Sequence, residues 1–277
     1  MQFPTAKTSE FEQFLISEYF RHGSINKVLY FHRFGIPISY AGYDRVLTKF
    51  NIVKSAGPNS KLTESLKILS MVADYKLSLE KIYEKHAPRQ LRVSTNTIHR
   101  ILHYIRLGLT RRQGTALIIT QRGKGGYFLV GNDQSLSDSA LGNKGDISLP
   151  MGHSRTGENP KESITRVLQQ EVFTDQAITG NFPFEVVPQH PRPIMYMNIA
   201  DIRVAVFHIE LTKSYPFSSN KIQNIRLVDL PEIKNKNTRP GVYEILTNYY
   251  PHPSSSSIPE YSSTLNALLY SMIKNEK

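Results

Sequence analysis

The 277-residue chain contains no cysteine. That excludes a disulfide framework, a thiolate zinc site and a catalytic thiol, and leaves any metal or catalytic chemistry to oxygen and nitrogen donors. No run of roughly eighteen or more apolar residues occurs, so no transmembrane helix and no membrane partner are expected. The opening Met1-Gln2-Phe3-Pro4-Thr5 lacks the charged start and apolar stretch of a secretory signal, and a cytoplasmic location is the expectation. Carboxylates are in short supply, with 23 Asp and Glu against 34 Lys and Arg, for a formal net charge of +11. What is present is a hydrophobic content of 39%, enough for buried cores in a chain long enough for two ordinary domains.

The charge is unevenly spread. Residues 1–112 hold 18 Lys and Arg against 8 Asp and Glu, whereas residues 113–277 hold 16 against 15. A basic, phosphate-binding module of residues 1–112 fused to a neutral module of residues 113–277 would have this profile, because each cation that meets a phosphate releases condensed counterions. A basic but merely solvated surface is the plainer alternative.

The N-terminal part has helical periodicity. Phe11, Phe14, Leu15, Ile16, Tyr19 and Phe20 fall on one helical face before Gly23. Ser24 can cap a second helix carrying Val28, Leu29, Phe31 and Phe34, and Ser39 a third through Tyr43, Val46, Leu47 and Phe50. The order repeats over Leu62–Leu77, Leu79–His86 and Ser94–Leu102. This all-α arrangement resembles tandem helix-turn-helix DNA-binding units. The resemblance implies DNA contacts from Thr95, Asn96, His99, Arg100 and Arg106, with Tyr43 and Arg45 in the first unit. It also implies a homodimer, since paired half-sites are commonly met by paired proteins. The bland reading is a small helical bundle with solvated charges. His99 and His103 share a helix face, but Arg100 stands where a zinc-protease motif has glutamate, so they are read as surface or packing histidines.

After Arg112 the texture becomes β-favouring. Ala116–Thr120 and Tyr127–Val130 read as strands joined by a hairpin connection at Arg122-Gly123-Lys124-Gly125-Gly126, which lacks the spacing of a phosphate loop. Asn132–Lys144 reads as a surface loop, Arg203–Leu211 as a strand, Ile225–Ile233 as a late strand followed by a capped turn, and Leu265–Ile273 as a closing helix. Between them lies Leu149-Pro150-Met151-Gly152-His153-Ser154-Arg155-Thr156-Gly157-Glu158, and after seven intervening residues Arg166-Val167-Leu168-Gln169-Gln170-Glu171. Asn159 can cap a helix, Pro160 suits its first position, and Glu162 can reach back to the cap.

This segment resembles the Nudix box, G-x5-E-x7-R-E-U-x-E-E-x-G-U, with Gly152, Glu158, Arg166, Leu168 and Glu171 on the pattern. The resemblance implies a Nudix-type α/β/α sandwich with a mixed sheet, preceded here by the helical domain. It further implies catalytic roles for Glu171, Arg166, Glu158 and Gln170, and a nucleoside diphosphate-type ligand bound near Gly152, Met151 and Arg122. Magnesium would be held by glutamates at positions 167, 170 and 171; here these are Val167, Gln170 and Glu171, and the family's glycine is Phe173. Hard cations need oxygen ligands, preferably anionic ones, so any magnesium on Glu171 is expected to be weakly bound. Glu210 and Glu232 are candidates for a carboxylate outside the box, with solvated surface as the plainer reading.

Two functions follow from these resemblances. A DNA-binding transcriptional regulator responsive to a nucleotide-type ligand accounts for the basic helical module and the altered box together. A magnesium-dependent Nudix hydrolase of nucleoside diphosphate-linked substrates is the alternative. A protein-interaction role with neither activity is the third possibility.

Overall fold

The structure is a computed structural model that describes residues 8–55, 103, 112–134, 143–155, 157–200, 202–249 and 257–267. Helix α1 spans Glu10–His22. Ser9 caps it in a capping box with Glu12, and Gly23 ends it at φ 73°, a left-handed value that glycine adopts without Cβ strain. Ser24 caps α2, Ile25–Phe31, and Ser39 caps α3, Tyr40–Lys49, each hydroxyl accepting from an amide of the first turn. All three expected helices are present, and Leu15, Ile16, Val28, Tyr43 and Leu47 make their shared interior. The second set of helices expected over 62–102 lies outside the described residues, apart from the helical, exposed His103.

The remaining elements are β1 Arg112–Gln121, β2 Tyr127–Asp133, β3 Ile147–Ser148, β4 Met151–His153, α4 Pro160–Glu171, α5 Thr174–Ile178, β5 Met195–Ile199, β6 Ile202–Leu211, β7 Ile222–Asp229, α6 Leu230–Lys234, α7 Val242–Thr247 and β8 Glu260–Ser262. They form a mixed five-stranded sheet in the order β4-β1-β6-β5-β8 and an antiparallel three-stranded sheet, β3-β2-β7. The central pair, β1 and β6, is parallel over its whole length, from Arg112 beside Ile202 to Gln121 beside Leu211. Strand alternation sends Leu117 and Ile119 to one core with Ile164, Val167 and Leu168 of α4, and Ala116 and Ile118 to the other with Ile233, Val242 and Ile245 of α6 and α7. Helices therefore cover both faces, giving an α/β/α layering with a mixed sheet.

One expectation is corrected here. The turn at 122–126 forms, but β1 and β2 are not a hairpin: β1 pairs with β4 and β6, and β2 with β3 and β7. The strands part because each finds a longer partner elsewhere. Gly131 marks a bulge in β2, where an added Cβ would lie 2.1 Å from Ile222 Cγ2. Among the described residues no helix is long and apolar enough to cross a membrane.

The apolar cluster on the α4 face runs without a break into the interior of α1–α3. The chain leaving α3 lies against α4: Val53 N donates to Gln169 Oε1 at 2.9 Å, and Gln169 Nε2 donates to the Asn51 carbonyl at 2.9 Å. Gln169 is wholly buried, so this reciprocal pair satisfies polar groups that burial would otherwise penalise. Ser55 N donates to the Tyr19 hydroxyl at 2.7 Å, which ties the end of the same segment back to α1.

Candidate functional site: an altered loop and helix

The box segment folds as β4, a loop and α4. Asn159 caps α4 and accepts from Glu162 N, while the Glu162 carboxylate accepts from Asn159 N. Every residue from Ser163 to Glu171 is buried, because α4 has the sheet on one side and residues 51–55 against another.

Arg166 and Glu158 form a bidentate pair, Nε to Oε1 at 2.8 Å and a terminal nitrogen to Oε2 at 3.1 Å. Their side chains are only 3% and 0% exposed, so neither faces a substrate; together they fix the loop on the helix. Glu158 Oε2 also accepts from Arg155 N at 3.0 Å. At Gly152 an added Cβ would stand 3.0 Å from the Arg166 guanidinium, which explains why the box has glycine there. The Met151 amide donates to Glu171 Oε2 at 2.8 Å. The Met151 side chain, expected beside a ligand, packs instead into the second core. Arg122, also expected there, is on the wrong end of β1: Gly152 pairs with Thr115, and seven residues of strand put Arg122 roughly 23 Å away. It is exposed and faces Glu210.

Of the three positions where the box pattern has metal-binding glutamates, two are replaced and Glu171 is kept. Val167 is 1% exposed and belongs to the core. Gln170 Nε2 donates to Ser55 Oγ at 2.9 Å, joining the box to the segment that follows α3. Gln170 Oε1 and Glu171 Oε1 both accept from Lys221 Nζ, at 3.1 and 3.3 Å. Lys221 sits just before β7, and no sequence signature singles it out; the one available hint was that a buried Glu171 must have a cationic or hydrogen-bonding partner.

A magnesium ion does not fit this donor set, contrary to the expectation of weak binding at Glu171. Val167 has no donor atom, and both Glu171 oxygens already accept hydrogen bonds. A dication at roughly 4 Å from the Lys221 ammonium would be repelled by about 8 kcal/mol at an effective dielectric of about 20. Among the described residues no three His, Asp or Glu side chains converge on one point. The off-box candidates do not supply the lack. Glu210 lies five residues along β6 from Ala205, the partner of Thr115, and Glu232 is engaged by Lys236 at 2.7 Å.

His153, on the same strand as Gly152, is held neutral. Burial, then the fields of Arg239, Arg112, Arg166 and Lys221, push its pKa down to about 4. Arg239 is in turn paired with Asp133 at 2.8 Å. Burial is thus the chief reason the imidazole stays neutral, with the neighbouring cations adding to it.

Of the residues expected to contact DNA, Tyr43 is corrected: it is 0% exposed and its hydroxyl donates to the Leu15 carbonyl inside the helical core. Its place in the apolar periodicity of α3 decides its role. Arg45 is exposed on α3. Thr95, Asn96, His99, Arg100 and Arg106 lie outside the described residues. Phe31 and Phe34, expected on the second helix with Val28 and Leu29, are instead 64% and 71% exposed, Phe34 lying beyond the end of α2; with Tyr30, which sequence reasoning missed and which is 77% exposed, they flank a surface cleft with Lys27 and Arg33. Sequence reasoning also missed a cleft of about 340 Å³ where the end of α3 meets residues 180–185 and Tyr215.

No protein-family model matches the chain, and no curated protein matches it. Solved structures do align with part of it. A Nudix hydrolase from Nitrosomonas europaea aligns at 13% identity and TM-score 0.39, over 55% of this chain and 78% of its own. A MutT protein from Methanosarcina mazei aligns at 15% and 0.35, over 61% and 97%. A Caenorhabditis elegans Ap4A hydrolase in a binary complex aligns at 16% and 0.34, over 60% and 97%. Likeness at this level assigns no family.

Proposed function

We propose that residues 113–277 are a Nudix-type domain that binds a nucleoside diphosphate-type ligand without hydrolysing it, and that residues 1–112 are a helix-turn-helix-like DNA-binding module which responds to that ligand. The observation that carries this reading is the contrast within one short segment. The parts of the box that shape the loop and helix, Gly152, the Glu158–Arg166 pair and the capped α4, are intact, while the parts that would hold a metal are Val167, Gln170 and a lysine-bound Glu171. A scaffold kept and a metal set given up suit a sensor better than a catalyst. The hydrolase alternative needs carboxylates that the described residues do not bring to this place.

The response has a physical route. Gln169 and Gln170 of α4 hold residues 51–55, and those residues continue directly from α3. A ligand that shifts α4 would alter the seat of the helical module, provided it binds the two arrangements unequally. The test is a panel of nucleoside diphosphate derivatives with magnesium, read for both thermal shift and product, alongside DNA retention by the full chain. Stabilisation without turnover and salt-sensitive DNA binding that changes with the ligand support the proposal. Brisk release of mononucleotides would overturn the sensor, and DNA binding indifferent to salt or ligand would overturn the regulator.

A further inference from the structure

We propose that Lys221 is the resident cation of the box, and that a phosphate-type anion is received there directly by its ammonium group with no divalent metal. This rests on the Nudix-type reading of residues 113–277 and goes beyond it in naming what recognises the anion. In a metal-dependent arrangement the protein supplies carboxylates and the ion supplies the positive charge that meets the phosphate. Here one side chain delivers that charge. Lys221 Nζ bridges Gln170 Oε1 at 3.1 Å and Glu171 Oε1 at 3.3 Å, the two box positions that retain an oxygen.

An ammonium has three N–H donors, and these two contacts engage two of them. The Lys221 side chain is 38% exposed, whereas Glu171 is 6% exposed, so the cation is the solvent-facing member of the pair. Gln170 matters to the charge balance. A glutamate there would add a second carboxylate to the ammonium and leave the site net negative; the neutral amide leaves one positive charge opposite one negative. Arg166 and Arg239 nearby are each committed to a carboxylate, Glu158 and Asp133, which leaves the partly exposed Lys221 as the cation that the box turns toward solvent. The loss of a metal ligand at 170 and the presence of lysine at 221 are thus two halves of one exchange, in which protein charge replaces ionic charge.

The test is calorimetric titration of the full chain with inorganic pyrophosphate, once in excess EDTA and once in excess magnesium. Wild type is expected to bind equally well in EDTA. Lys221→Gln is expected to weaken binding by at least about tenfold, the scale of one charge-assisted hydrogen bond, and Lys221→Arg to retain most of it. A thermal melt of each variant establishes that it is folded, and Lys221→Arg guards against a lysine that is needed only for packing. Binding that requires magnesium, binding unchanged in a folded Lys221→Gln, or no binding of pyrophosphate to wild type would each overturn the proposal. DNA retention measured on the same samples separates the two readings. Metal-free pyrophosphate binding through Lys221 with DNA retention unaffected sinks the regulator and keeps this site. DNA retention that answers to a nucleotide panel while pyrophosphate never binds does the reverse.

Discussion

At the scale of single residues, the box retains its geometry through one buried ion pair, Glu158–Arg166, one half-exposed pair, Lys221–Glu171, and one glycine. Removing one partner of a buried pair strands the other charge, so Glu158→Ala should cost roughly 3 kcal/mol by denaturant unfolding and should loosen the loop that carries Gly152. A variant with unchanged stability would mean the pair braces nothing. His153 sets a pH dependence whose sign is fixed by its depressed pKa, about 4 in the folded protein against 6.5 ordinarily. The unfolded chain takes up this proton first, so the stability due to neutral His153 is complete above about pH 6.5 and is lost as pH falls through about 4. The loss is on the order of 3 kcal/mol, and His153→Gln should flatten that part of the stability profile. An identical profile for the variant would refute the assignment. The positions of Gly152, Glu158 and Arg166 were legible from the pattern, but not their roles: a catalytic part was expected for Glu158 and Arg166, whereas the two are buried against each other and brace the loop. Nor were roles legible for Lys221, which joins Glu171 across fifty positions of chain, or for Tyr43 and Arg122, whose types suit a binding surface but whose surroundings differ.

At the scale of elements, local chemistry decided the helices and distant pairing decided the strands. Ser9, Ser24, Ser39 and Asn159 each cap the helix that follows, and each could be recognised from a few neighbouring letters. Asn159→Ala should therefore cost about 1 kcal/mol, measured by thermal or denaturant unfolding, with Asn159→Ser close to neutral. The join between β1 and β2 misled because a glycine-rich turn fixes a change of direction, while pairing is settled by β6 and β7, about a hundred residues away along the chain. Gly131 belongs to this level. A side chain there would meet both Ile222 and the Gln223 carbonyl, the latter at 2.8 Å, so Gly131→Ala should unzip the β2–β7 ladder and lower the melting temperature sharply. Retained melting behaviour would show that the bulge can move aside.

At the scale of the whole molecule, the helical module is seated on the box helix through buried amides. Gln169→Leu would leave Val53 N and the Asn51 carbonyl without their partner, at a cost of about 1–3 kcal/mol per stranded group. Residues 50–55 should then exchange amide hydrogens faster and be cut sooner by protease, while the strands are little changed; unaltered exchange would mean the seat is held by apolar contacts alone. The same joint lies at one end of residues 56–111. The chain departs at Ser55, bonded to Gln170, and returns at Arg112, whose charge is felt by His153. Both ends of residues 56–111 are thus tied to the neighbourhood of β4 and α4, one by a hydrogen bond to the box helix and the other by a charge that the β4 imidazole senses.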